Sequence, residues 1–269
     1  MCSTRSRSAR LLASAAIVVI IAAAAAGCQT TQSTDTTGSL TLASADRSDA
    51  DWQRDVEAYG QKYRDKPTDV EVALRYAQAL RATGQRAQAV AILEQTSIRN
   101  PSNKVVLGEY GRALAEAGNY EQALEVLDRA HTPDQPDWHI LSAQGAVLDQ
   151  MGRHEEAQRH YLTALKIAPD EATVLSNLGL SYALSKDLKN AEATLRRAAA
   201  RRPVDQRVRQ NLALVVGLQG RFAEAETIAR ADLPPDQAAA NALYLRQMLA
   251  HKDNVPLSNQ AYHSGPGSS

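Results

Sequence analysis

The histidines and acidic residues could in principle serve metal binding or acid–base catalysis, but their spacing argues against both. No two histidines form an i, i+4 pair or a His-Glu-x-x-His motif, which would place two ligands on one helical face. The six histidines are His131, His139, His154, His160, His251 and His263. Acidic pairs such as Glu155 and Glu156 occupy adjacent positions that point in different directions on a helix. We therefore expect no metal site, and we interpret the acidic pairs as solvated surface.

Nucleophilic and phosphate-binding motifs are also missing from the sequence. It contains no Gly-x-Ser-x-Gly nucleophile motif and no phosphate-binding glycine loop. We expect a protein that is not an enzyme and that binds no cofactor or small-molecule substrate. The alternative in this class is a hydrolase that uses acidic residues of a groove, and turnover that is lost on mutating one such carboxylate would support it.

Cys28 has the surroundings of a lipid-attachment site. Three arginines precede an uncharged apolar run over residues 11–26, which is the layout of a signal peptide. The run ends in Ala-Ala-Gly-Cys, which resembles the bacterial lipobox with alanine in place of the usual leucine. The resemblance implies cleavage before Cys28 and lipid on its sulfur, and Gln29 implies the outer membrane by the enterobacterial rule. An ordinary secretory signal or an uncleaved anchor is the alternative.

Composition excludes further classes of protein. The 30 basic and 30 acidic residues balance, whereas a general nucleic-acid binder is clearly basic. Aromatic residues make up 4% of the chain, and good helix formers such as Ala, Leu, Gln, Glu and Arg dominate. The two cysteines, Cys2 and Cys28, both lie near the start, so we expect no disulfide in the folded part. These features predict an all-α fold.

A period of 34 residues organises the chain from about residue 70. It is marked by the alanines Ala89, Ala123, Ala157, Ala191 and Ala225. It is marked again by turn positions that hold Gly84, Gly118, Gly152, Lys186 and Gly220. Positions suited to helix N-caps hold Asp69, Asn103, Asp137, Glu171 and Asp205. These three sets of positions keep one register, which indicates an internal repeat of 34 residues with a helix start in each period.

These residues resemble the tetratricopeptide repeat, a pair of antiparallel helices in 34 residues. The resemblance is clearest at residues 118–123 and 152–157, and it implies a solenoid of stacked helix pairs. The small residue of the first helix is Ala77, Gly111, Gly145, Gly179 and Ala213. The tryptophan slot departs from the family pattern and holds Ala73, Leu107, Leu141, Leu175 and Arg209.

The predicted organisation follows from these patterns. We predict a signal peptide at 1–27, a lipidated flexible tether at 28–48, a capping helix at 49–66, five repeats over 67–239, a second capping helix at 240–253 and a disordered tail at 254–269. The first capping helix carries the apolar residues Trp52, Val56, Tyr59 and Tyr63 at helical spacing.

The family resemblance implies a concave groove that is lined by the first helices of the repeats. Candidate partner-binding residues in this groove are Arg112, Asn177, Arg207, Gln210 and Asn211. Asn177 and Asn211 occupy a slot where many peptide-binding members use asparagine to hold a peptide backbone, although asparagine is also common there for other reasons. A basic cluster that includes Arg196, Arg197, Arg201, Arg202, Arg207 and Arg209 is either a binding patch or a solvated helix end.

The whole arrangement resembles the TadD family of tight-adherence (Flp) pilus lipoproteins, and this resemblance covers nearly the whole chain. It rests on the lipobox, the tether, the Trp52 helix, the repeats and the final apolar helix over residues 241–249. It implies a periplasm-facing outer-membrane lipoprotein that assists the pilus secretin in the manner of a pilotin, through protein–protein binding. The alternative is a general envelope scaffold for peptidoglycan or outer-membrane protein insertion machinery.

Overall fold

The computed structural model describes residues 47–201 and 204–253. Within these residues all regular elements are helices, apart from an isolated bridge between Thr132 and Gln135. The all-α fold predicted from the composition and the 34-residue period is therefore confirmed. The predicted signal peptide, most of the tether and the predicted tail, together with Cys28, lie outside the described residues.

The helices fall into two compact units, residues 1–201 and 202–269. The first unit contains α1 Asp49–Asp65, α2 Val70–Ala82, α3 Arg86–Arg99, α4 Lys104–Glu116, α5 Tyr120–Asp128, α6 Trp138–Gln150, α7 His154–Ile167, α8 Ala172–Leu184 and α9 Leu188–Ala199. The second unit contains α10 Gln206–Leu218, α11 Phe222–Ala229 and α12 Pro235–Asp253. Repeats 1 to 5 are the helix pairs that begin with α2, α4, α6, α8 and α10.

Each first helix of a repeat begins at a side chain that caps it. Asp69, Asn103, Asp137, Glu171 and Asp205 each accept a hydrogen bond from a backbone N–H of the first turn. The cap matters because the first N–H groups of a helix have no partner within the helix. Glu171 is the unusual member, since its longer side chain still reaches Thr173 N at 3.2 Å.

The turn inside each repeat requires a left-handed backbone. The four turn glycines have φ between +75° and +85°, and Lys186 adopts φ +67° in repeat 4. Glycine accepts this conformation freely, whereas a residue with a Cβ is strained there. The same conformation at all five turns reverses the chain after each first helix.

Close helix pairing explains the small residue of each first helix. A Cβ added to Gly145 would lie 2.6 Å from Tyr161 Cε1, and one added to Gly179 would lie 2.6 Å from Leu195 Cγ. The absence of a side chain therefore allows the larger residue of the second helix to pack against the backbone of the first. The buried core between the helices contains mainly Leu, Ala, Val and Tyr.

Each end helix packs against the neighbouring repeat of its own unit. In α1, Trp52 is buried, and Val56, Tyr59 and Tyr63 pack against Tyr76 and Leu80 of α2. In the second unit, Ala238 of α12 packs against Ala213 and Ala229 of repeat 5. Helix α12 begins at Pro235 rather than at the predicted residue 240, because proline is well tolerated in the first turn of a helix.

Candidate partner-binding surface

The first helices of repeats 1 to 4 form one surface of the first unit. Helices α2, α4, α6 and α8 contact one another in turn, and the second helices of these repeats approach each other less closely. The side with the closer helices is the inner side of a curved stack, so we call the exposed side of these four first helices the inner face. The family resemblance implied a groove on this side.

Four charged side chains join repeats 1 and 2 on the inner face. Arg81 of α2 donates from Nη1 to Glu109 Oε2 at 2.7 Å and from Nε to Glu116 Oε2 at 2.8 Å. Arg112 donates from Nη1 to the other oxygen of Glu109 at 2.6 Å. We call Arg81, Glu109, Arg112 and Glu116 the ion-pair network. It contains two positive and two negative charges and is therefore neutral.

Asp149 forms a second polar cluster, which joins repeats 3 and 4. Its carboxylate accepts hydrogen bonds from Ser181 Oγ at 2.8 Å and Tyr161 Oη at 3.1 Å, and it lies 2.9 Å from His154 Nδ1. Burial raises the pKa of Asp149, although the three hydrogen bonds and the charge of His154 oppose this effect. Burial, with a smaller contribution from the Asp149 charge, also raises the pKa of Tyr161 well above its ordinary value.

The two predicted binding residues of the first unit differ in their availability. The Arg112 side chain belongs to the ion-pair network, and the residue is only 3% exposed. Asn177 of α8 is partly exposed, and its side chain has no hydrogen-bond partner within the described part of the chain. Of these two residues, Asn177 is the one whose polar atoms are free to meet a ligand.

The other three predicted binding residues lie on α10 in the second unit. Arg207 is exposed, and its Nη2 lies 3.2 Å from Asp205 Oδ2. Gln210 and Asn211 are partly buried, and Asn211 already has an interaction partner. Arg207 is thus the most accessible of the three, and its charge is offset by Asp205.

The arginines of the predicted basic cluster are paired with carboxylates. In the first unit, Arg196 lies 2.7 Å from Glu192, and Asp170 pairs with both Arg197 and Arg201. In the second unit, Arg207 pairs with Asp205 and Arg209 pairs with Asp232. Arg202 lies outside the described residues. These pairs favour the interpretation of the cluster as a neutralised surface over a free basic patch.

A polar cluster in the core between repeats 2 and 3 was missed by the sequence analysis. Gln144 is 1% exposed and donates from Nε2 to Asp128 Oδ1 at 2.6 Å. Its own Oε1 and the Nδ1 atoms of His131 and His160 are buried without a hydrogen-bond partner among the described residues. The signal was present in the sequence, because the equivalent position in the other repeats holds Tyr76, Tyr110, Leu178 and Leu212.

The described residues hold neither a metal-binding cluster nor a helix that could span a membrane. Among these residues, three or more His, Cys, Asp or Glu side chains nowhere come close enough together to hold a metal ion. Within the same residues, every helix is too short or too polar to cross a bilayer.

Comparison with protein families identifies the repeats. Four tetratricopeptide repeat profiles match the chain, at residues 71–102, 88–145, 139–204 and 206–231. The chain is therefore a tetratricopeptide repeat protein, a class of generally non-enzymatic scaffolds that bind other proteins. No catalytic family is indicated by these matches. A comparison of the sequence with the curated proteins found no match.

Solved structures share the fold at low sequence identity. PilW, described as a widely conserved type IV pilus biogenesis factor, has a TM-score of 0.64 at 15% identity, and the match covers 72% of this chain and 91% of PilW. A thermophilic tetratricopeptide repeat protein of Thermus thermophilus has a TM-score of 0.55 at 25% identity, over 67% of this chain and 97% of that protein. YrrB, a repeat protein with an unusual peptide-binding site, has a TM-score of 0.50 at 14% identity, over 71% of this chain and 99% of YrrB.

Proposed function

We propose that this chain is a lipid-anchored scaffold for the assembly of Flp (tight-adherence) pili, as in the TadD family. Its inner face holds a segment of a partner protein, and that partner is the outer-membrane secretin or another pilus assembly component. The chain acts in the manner of a pilotin and helps the secretin to reach or assemble in the outer membrane.

The observation that carries the proposal is the free amide of Asn177 on the inner face. Asparagine can both donate and accept hydrogen bonds, so it matches the backbone groups of an extended segment. The exposed aliphatic side chain of Val105 lies on the same face, in repeat 2. A row of first helices that offers amide and aliphatic groups together suits the binding of a protein segment.

Anchoring at the membrane is the second part of the proposal. Lipid on Cys28 holds the protein at the inner leaflet of the outer membrane, facing the periplasm, and the polar residues that follow act as a tether. Each buried methylene group of an acyl chain contributes about 0.8 kcal/mol, so two or more chains give a stable anchor. PilW, which has the same fold, is described as a type IV pilus biogenesis factor, and that task is related to the one proposed for this chain.

A deletion strain tests this function directly. Cells that lack the protein are fractionated, and the pilus secretin is followed by immunoblot as monomer and multimer in each membrane. We expect multimers to be lost or to move to the inner membrane, and the wild-type gene to restore them. A Cys28→Ala copy should restore them incompletely, whereas a Cys2→Ala copy should restore them fully because Cys2 lies within the predicted signal peptide.

Normal secretin assembly in the deletion strain would contradict the proposal. In that case the general envelope scaffold, serving peptidoglycan or outer-membrane protein insertion machinery, becomes the better hypothesis. Equal restoration by the Cys28→Ala and wild-type copies would instead contradict the role of the lipid while leaving the secretin as the partner.

A further inference from the structure

The charged side chains on the inner face of repeats 2 to 4 form hydrogen bonds or ion pairs within the protein. Arg81 and Glu116 of the ion-pair network have side chains that are each 10% exposed, and Arg112 is less exposed still. A charged ligand could bind here only by separating a buried pair. The charge left behind would then be buried without compensation, which is strongly unfavourable.

An unpartnered nitrogen in the ion-pair network is also inaccessible. Arg112 Nε has no hydrogen-bond partner among the described residues, but the atom is buried. An anion could reach it only after the neighbouring side chains had moved. The network therefore provides no anion-binding site.

Asp149 is unavailable to a basic ligand for a similar reason. Its carboxylate is directed towards Ser181, Tyr161 and His154, and its side chain is 9% exposed. A lysine or arginine of a partner would have to displace these hydrogen bonds. At the edge of the face, Lys104 reaches Gln135 Oε1 at 3.3 Å, and His139 Nδ1 lies 2.9 Å from Asp137.

Apart from Lys104 at the edge, the accessible groups of the same face are neutral. Val105 is 63% exposed on α4, and Leu180 of α8 is partly exposed. The first helices of repeats 2 to 4 also carry the partly exposed small residues Ala115, Ala146 and Ala183. Asn177 adds the free amide. Aliphatic side chains gain free energy from burial against such a surface, and an amide can hydrogen-bond the backbone of the bound segment.

We propose that the inner face of repeats 2 to 4 binds an uncharged, aliphatic segment of the partner protein, without ion pairs between the two. This inference rests on the proposed function and specifies the chemistry of the segment that is bound. Repeat 1 stands apart, because the exposed Glu71 and Arg75 of α2 have opposite charges and no partner within the described residues.

Peptide selection followed by affinity measurements tests the inference. The purified chain selects from a random peptide display library, and the affinities of the selected peptides are measured by titration calorimetry at low and high salt. We expect the selected peptides to be rich in Val, Leu and Ile and poor in charge. Their affinity should change by less than about twofold across a tenfold increase in salt, because screening acts mainly on exposed charges.

Two exposed aliphatic residues provide a matched pair of variants. Val105 lies on the inner face, whereas Ile98, which is 66% exposed, lies on the second helix α3. Val105→Asp should weaken binding by about tenfold or more, since it places a charge against an apolar segment. Ile98→Asp should leave binding within about twofold, and it controls for the general effect of an added surface charge. Asn177→Asp, which keeps the size of the side chain, should also weaken binding.

Other results would overturn the inference. Selection of acidic or basic peptides, or an affinity that falls about tenfold with salt, would show that ion pairs contribute to binding. Equal effects of Val105→Asp and Ile98→Asp, or selection of no peptide at all, would also contradict it. The secretin assay separates the two proposals, because secretin assembly can depend on this protein whether or not the bound segment is charged.

Discussion

Gln144 donates a hydrogen bond to Asp128 Oδ1 at 2.6 Å across the boundary between repeats 2 and 3. The equivalent position is apolar or aromatic in the other repeats, which use leucine or tyrosine there. Only one end of the Gln144 amide is satisfied, because its Oε1 is buried and has no hydrogen-bond partner in the part of the chain that the structure describes. A buried acceptor that makes no hydrogen bond costs about 1–3 kcal/mol. This boundary is thus a point where the core carries a polar group at a cost in stability.

Replacing Gln144 by leucine should stabilise the protein. The substitution removes the unpartnered acceptor and restores the side chain that repeats 4 and 5 use at this position, while the exposed Asp128 can be hydrated by water. We expect a gain of about 1 kcal/mol, measured as an increase in the midpoint of urea-induced unfolding. The reverse change in repeat 4, Leu178→Gln, should lower the midpoint. A loss of stability in Gln144→Leu would mean that the amide makes favourable interactions on both sides.

Gly145→Ala should destabilise the pairing of α6 and α7. The added methyl group would lie 2.6 Å from Tyr161 Cε1, and Tyr161 cannot move freely because its hydroxyl is bonded to Asp149. Overpacking costs about 1–3 kcal/mol, and the gain of about 1 kcal/mol in helix propensity offsets only part of it.

Gly60→Ala is the matched control for this change, since its methyl group would lie 3.2 Å from the nearest atom, Tyr76 Cε2. Chemical denaturation should give a clear loss of stability for Gly145→Ala and a smaller change for Gly60→Ala, because Tyr76 needs to move by only a few tenths of an ångström. Equal stabilities of the two variants would show that α6 and α7 can separate without cost.

Lys186→Gly should stabilise repeat 4. Lys186 has φ +67°, a left-handed conformation that the other four repeats give to glycine. Relief of this strain is worth about 1 kcal/mol, reduced somewhat by the greater freedom of glycine in the unfolded chain. Differential scanning calorimetry should show a higher Tm for Lys186→Gly and a lower one for Gly152→Ala, which introduces the same strain into repeat 3. A lower Tm for Lys186→Gly would indicate that the lysine side chain makes stabilising contacts.

His160 should make the stability of the first unit depend on pH. Burial lowers the pKa of His160 from 6.5, and this effect exceeds the opposing attraction of Asp128. Among the other nearby charges, His131 and Arg159 also lower this pKa, and Glu156 raises it. The folded chain therefore binds fewer protons at His160 than the unfolded chain does. The contribution of His160 to stability is complete above pH 6.5 and is lost as the pH falls below that value.

The variant His160→Ile isolates this effect, because isoleucine occupies the same position in repeat 1 as Ile92. Urea unfolding of both proteins should be measured about one pH unit above and below 6.5. We expect the wild-type midpoint to fall more steeply than that of the variant as the solution becomes acidic. Parallel behaviour of the two proteins would place the pH dependence elsewhere.

Features that depend on neighbouring residues in the chain were predicted well from the sequence. The 34-residue spacing identified the five helix caps from Asp69 to Asp205 and the five turn residues from Gly84 to Gly220. Glu171 and Lys186 are the unusual members of these two sets. Each cap makes the expected hydrogen bond, and each turn residue has the expected left-handed conformation. These are interactions over one or two helical turns, so residue type and spacing determine them. The all-α repeat fold follows from the same pattern.

The availability of the candidate binding residues was decided by tertiary structure. Arg112 and Asn177 were equal candidates in the sequence. In the structure, Arg112 forms an ion pair with Glu109, which also binds Arg81 of the preceding repeat. Asn177, in contrast, has no hydrogen-bond partner among the described residues. The arginines 196 to 209 form a basic cluster in the sequence, but the fold brings Asp170 and Asp232 beside them. The sequence by itself determined where the first helix of each repeat begins and where the turn after it falls, because local hydrogen bonds and turn conformations set those limits. The charges that remain free depend on pairs formed between helices, and only the packed structure brings those partners together.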